Sequence, residues 1–131
     1  MAVRIVINVV GGVVQSPPRA NANRIEQEVV WIINNPPNSG ITFANPPIEF
    51  VSPPPAGYNP WPGTAVTQDS GSPNQWVANV DKVLTPGGTP ELYKYDIVWT
   101  TGRLDPDLQN DPVPPYGTGD DKDKDKDKDK P

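Results

Sequence analysis

The run Glu91 to Leu108, ELYKYDIVWTTGRLDPDL, limits what this chain can fold into more than any other stretch. Tyr93, Tyr95, Ile97 and Trp99 are large and apolar at every second position, and Lys94 and Asp96 fall between them. A period of two puts the first set on one face of an extended strand and the charges on the other. Thr100-Thr101-Gly102-Arg103 supplies a turn, and Arg103 to Gln109 supplies a returning arm. The stretch therefore predicts a β-hairpin with one dry face.

The same alternation appears at the start of the chain, where Val3, Ile5, Ile7 and Val9 are separated by Arg4, Val6 and Asn8 until Gly11-Gly12 ends the run. Val13 to Gln15 resumes it briefly before Ser16-Pro17-Pro18. Asn23 to Asn34 carries two readings. Asn23 as a cap, with Glu26 three residues on and Ile25, Val29, Ile32 and Ile33 on one face, describes a helix. The β-branched and aromatic block Val29 to Ile33, stopped by Asn34-Asn35-Pro36-Pro37, describes a strand and is favoured. Ile41 to Phe43 and Ile48 to Val51 read as two short extended pieces divided by Asn45-Pro46-Pro47, and Gln75 to Leu84 as a longer strand. Ser52 to Asn74 is mostly connection, with only Thr64 to Gln68 extended.

The chain's 19 prolines cluster between these runs instead of interrupting them, which makes them loop and edge devices. About seven strands bounded by turn residues predict an all-β fold, a single antiparallel Greek-key sandwich over residues 1–115. Residues 116–131 end in alternating Asp and Lys with no apolar side chain between them, a composition predicted to be disordered.

The order of these elements resembles the cupredoxin-like β-sandwich family over roughly residues 3–109. The run VVWIINNPPNSGITF matches the strand and loop that carry a histidine in copper-binding members, and LYKYDIV matches the strand that carries their cysteine. Here Ser39-Gly40 stands at the histidine position and Ile97 at the cysteine position. The resemblance implies a copper-free member, because a type 1 copper site needs thiolate and imidazole and the chain has no Cys and no His. An immunoglobulin-like sandwich is the alternative architecture.

A formal charge of −5 argues against nucleic acid as a partner. Without histidine or cysteine there is no Ser-His-Asp triad and no thiolate nucleophile, so the expectation is a non-enzyme without cofactor or metal. Asp105, Asp107 and Asp111 offer oxygen ligands for calcium, but their spacing lacks the glycine and terminal glutamate of an EF-hand loop, and they read as solvated turn carboxylates. MAVRIVINVV lacks the basic start and cleavage site of a secretion signal, and no apolar run reaches the length of a membrane-spanning helix. The expectation is a soluble chain without membrane insertion, cytoplasmic by default. The leading expectation for function is a metal-free structural or protein-interaction domain, with self-association open. The alternative is a carbohydrate or small-ligand module that uses Tyr58, Trp61 and Tyr116, aromatic residues set among prolines and glycines.

Overall fold

In the computed structural model, which describes residues 2–22 and 27–112, every regular element is a strand. In chain order they are β1 (Ala2–Val10), β2 (Val13–Gln15), β3 (Arg19–Ala22), β4 (Glu28–Asn34), β5 (Phe43–Phe50), β6 (Thr67–Asp69), β7 (Ser72–Asn79), β8 (Glu91–Trp99), β9 (Gly102–Leu104) and β10 (Asp107–Asn110). One sheet has the order β2-β1-β4-β7-β6, and the other has β3-β10-β8-β5 with β9 also on β8.

The hairpin read from sequence is present, and its returning arm is longer than one strand. Trp99 opposes Gly102, Ile97 opposes Leu104, and beyond Asp105-Pro106 the same register continues with Lys94 opposite Asp107 and Glu91 opposite Asn110. Pro106 has no N–H to give, so the ladder is interrupted there, although its carbonyl still accepts the Tyr95 amide at 3.3 Å. The ambiguous stretch resolves as a strand over Glu28–Asn34, whose five middle residues are all buried. Side chains buried on both faces suit a central strand of β-branched residues.

Three expectations are corrected. The sheets are mixed and not purely antiparallel, because β1 runs parallel to β4 and β3 runs parallel to β10. The cause is a change of sheet within one stretch of chain. β2 pairs with β1, Ser16-Pro17-Pro18 removes two ladder donors, and β3 continues on the other sheet against β10. The pieces on either side of Asn45-Pro46-Pro47 belong to one strand, β5, whose pairing with β8 shifts register between Phe43 and Ile48. The Asn45–Pro46 and Ser52–Pro53 bonds are cis. The strand expected over Gln75 to Leu84 starts earlier and ends at Asn79.

The core lies between the sheets. Val3, Ile5, Ile7, Val29, Trp31 and Ile33 from the first sheet meet Ile48, Tyr93, Tyr95, Ile97 and Leu108 from the second. Trp31 is completely buried, with its ring 5.7 Å from that of Tyr95 and 6.1 Å from that of Phe50, both in edge contact. Such T-shaped pairs add about 0.5–1.5 kcal/mol to what their burial contributes. The two ends of the sandwich differ. The Gly11-Gly12 turn, residues 35–42, residues 70–71 and residues 100–101 gather at one end. Ala2, Ala22, Asn79, Glu91 and Asn110 lie at the other.

Candidate functional site

Asp107, read from sequence as a solvated turn carboxylate, is buried on β10, and this too is a correction. Its register explains the burial. Asp107 sits between Arg19 of β3 and Lys94 of β8, so all three side chains leave the same outer face of the second sheet. Arg19 Nε donates to Oδ1 at 2.6 Å and Nη2 donates to Oδ2 at 3.0 Å, a two-pronged contact matched to carboxylate geometry. The Tyr58 hydroxyl donates to the same Oδ2 at 2.9 Å, and Lys94 Nζ lies 5.4 Å from the Tyr58 ring centre. The Arg19 hydrogen bonds hold the Asp107 carboxyl below its ordinary 3.8, against the opposing effect of burial, with Tyr58 acting in the same direction as Arg19.

This clamp fastens the chain after β5 to the sheet and closes the seam between β3 and β10. Its contribution is present above about pH 4 and is lost as pH falls through the lowered Asp107 value. Urea denaturation at pH 7 should find Tyr58→Phe less stable by about 1.5 kcal/mol, the usual scale of a hydrogen bond to a charged group. Asp107→Asn should flatten the acid side of the stability profile, and an unchanged acid limb would show that the carboxylate is not paired in solution.

The remaining carboxylates of the calcium reading do not converge. Lys94 Nζ lies 3.8 Å from the Asp105 carboxylate and also contacts the Asp105 carbonyl, while Asp111 accepts from Asn21 and Gln109. Among the described residues no group of three His, Cys, Asp or Glu side chains gathers to hold a metal. Ile97, at the cysteine position of the resemblance, points into the core, and Ser39 hydrogen-bonds with Asn35 inside the 35–41 loop.

Tyr58 and Trp61 do not share a surface. Tyr58 lies over the outer face of the second sheet, but the Trp61 ring turns inward and stacks on Phe50 at 3.9 Å and 8°, with its edge contact on Tyr93 at 5.5 Å. Trp61 Nε1 donates to the Thr64 carbonyl, and Thr64 N donates to the Asn79 carbonyl, so the loop closes the side of the sandwich. A Cβ on Gly63 would overlap both the Asn79 carbonyl and the Trp61 ring, which is why a glycine stands there. Tyr116 and the tail over residues 116–131 lie outside the described residues.

Two features remain, one of them at the first strand, where self-association was left open, and one that the sequence did not single out. The first is the edge of β1: β2 pairs only with Asn8 to Val10, so no described strand is hydrogen-bonded to that side of Ala2–Ile7, although β3 passes close to β1 on its way to the other sheet. Gly11 and Gly12 have φ of 57° and 78°, the type I′ turn that makes Val10 and Val13 the hydrogen-bonded pair next to it. Alternation then directs the backbone groups of Arg4 and Val6 toward the β2 side, away from β4. Next to this edge, Val6, Val10 and Val13 are exposed at 39%, 58% and 57%.

The second is a shallow cleft of about 430 Å³ at the turn-bearing end of the sandwich. It lies between the start of β5 and the start of β7, with Trp76, Phe43 and Ile33 as its apolar wall and Asn35, Asn45 and Asn74 on its rim. A proline-bounded Asn45 and an Asn74 two residues before a tryptophan were visible in the sequence. What was missing was the pairing that brings β5 and β7 to the same end.

Among the described residues no helix is long and apolar enough to cross a membrane. No protein-family model matches the chain, and no curated protein matches it.

Proposed function

We propose that this chain is a metal-free protein-interaction domain that accepts an extended strand of a partner on the open edge of β1. The observation that carries the reading is the stretch Ala2–Ile7, whose β2 side is hydrogen-bonded to no described strand, with exposed valines nearby and its other side paired to β4. Unpaired amides and carbonyls in a row are a template for strand addition, in which the backbone supplies affinity and alternate side chains supply selectivity.

Arg4 sets the selectivity. An antiparallel second copy centred on this stretch would place Arg4 opposite its own counterpart, a like-charge pair that disfavours self-association. A strand with an acidic residue at that position pairs with Arg4 and rests its neighbouring β-branched side chains on Val6. The absence of any His or Cys in the chain supports the metal-free part of the reading. The cupredoxin-like resemblance belongs to the same proposal. Its support is the sandwich itself, with Ser39 and Ile97 where copper ligands would stand.

The test uses two synthetic extended peptides of alternating Thr and Val, one with a central Glu and one with a central Lys. The Glu peptide should slow amide exchange at Arg4 and Val6, and the Lys peptide should do so far less. Val6→Pro removes an edge donor without touching the β4 ladder, so it should abolish that protection and keep the fold. Protection that survives Val6→Pro, or equal protection by both peptides, would exclude docking at this edge.

A further inference from the structure

The end cleft is chemically unlike the β1 edge. Not one of the side chains lining it is ionisable. It combines an apolar wall, from the partly exposed Phe43 and the edge of the largely buried Trp76, with a rim of neutral donors and acceptors, Asn35, Thr42, Asn45 and Asn74. Two of the amides have capacity to spare. Asn45 and Asn74 are exposed, and Asn74 has one long contact, 3.5 Å from Nδ2 to the Ile33 carbonyl. Asn35, by contrast, is occupied in holding its loop, donating to the Ile41 carbonyl at 2.9 Å.

The backbone beside the cleft narrows the ligand class further. Pro46 and Pro47 remove two successive N–H donors from β5, the edge strand of its sheet. A peptide strand cannot extend the ladder there, so whatever binds must be held by side chains. A neutral molecule with many hydroxyls and an apolar ring face satisfies both parts of the lining: C–H groups lie on the aromatic wall, and hydroxyls exchange hydrogen bonds with amides.

We propose that this cleft is a binding site for a neutral carbohydrate, one or two sugar units long, with Phe43 and the edge of Trp76 as the contact wall and Asn45 and Asn74 as the hydrogen-bonding residues. A volume of about 430 Å³ falls within the usual range for small-ligand sites. The site is at the opposite end of the sandwich from Tyr58 and Trp61 and does not depend on strand docking at β1.

The experiment is an NMR titration of the whole chain with neutral methyl glycosides of glucose, galactose and mannose, with N-acetylglucosamine, and with their β-linked disaccharides. Glucuronate, glucosamine and a proline-rich peptide serve as comparisons. At least one neutral sugar should shift the Trp76 indole N–H and the Asn45 and Asn74 side-chain amides saturably, at millimolar concentration. Asn45→Ala and Asn74→Ala, both surface changes, should each weaken that binding about tenfold while leaving the other backbone signals in place. The proposal is overturned if no neutral sugar moves the Trp76 signal, if the double variant binds as well as the parent chain, or if the charged sugars or the peptide are the ligands that saturate the cleft.

Discussion

Trp31→Ala should destabilise the domain by about 3–5 kcal/mol, the range for removing a fully buried large aromatic from a core. Small domains have only about 5–15 kcal/mol in total, so urea unfolding should move to a much lower midpoint, with much of the chain unfolded at modest temperature. The size of the loss follows from where Trp31 sits. It is on the inner face of the central strand, opposite Ile5 on one side and Trp76 on the other, and its ring meets Phe50 and Tyr95 across the sandwich. The indole N–H has no hydrogen-bond partner among the described residues, so Trp31→Phe loses volume but no bond. That variant should cost under about 2 kcal/mol. A loss below about 1 kcal/mol for the alanine variant would remove Trp31 from the centre of the core.

Alkaline unfolding between about pH 10 and pH 12 is the second large effect, and it comes from the paired tyrosines of β8. Burial pushes the Tyr95 hydroxyl from its ordinary 10.0 to about 12 and does the same to Tyr93. The Trp31 N–H opposes the Tyr95 shift, yet neither of the two atoms completes a hydrogen bond. Tyr93 is better placed, donating to Glu91 at 3.0 Å and accepting from Asn110 Nδ2 at 3.1 Å. An acid whose pKa is raised by folding stabilises the folded chain fully below its unfolded value. That contribution fades as pH rises through 10 and is gone above about 12. For Tyr95 alone this amounts to something on the order of 2–3 kcal/mol. Phenolate absorbance should therefore show a phase that coincides with loss of the near-ultraviolet circular dichroism of the aromatic core. Tyr95→Phe should move that unfolding to higher pH. Complete phenolate formation with the aromatic signal intact would mean that these hydroxyls reach water in the folded state.

What the sequence made legible, and what it did not, divides along physical lines. Period-two alternation is a local property, so β1 and β8 could be read with the correct inward residues, and β-branching in Val29 to Ile33 was enough to favour strand over helix. Partner choice is not local. Nothing in Val3 to Val9 says that its neighbour is β4 running parallel, and nothing in Arg19 says that it meets a carboxylate far along the chain in Asp107. The two described candidate aromatics part for the same reason. Tyr58 and Trp61 are close in sequence, but an extended loop sends them to opposite faces of one sheet. Asp107 could have been suspected, since it precedes Leu108 within a strand-like arm, but burial of a charge becomes visible only with its partner in place.

The direction of the strands gives the domain an orientation. β1 begins, and β10 finishes, at the end of the sandwich opposite the amide-rimmed cleft. The described chain therefore enters at Ala2 and leaves after Asn110 by the same end of the sandwich. Held through that end, the domain would turn the amide-rimmed cleft outward and leave the β1 edge along its flank.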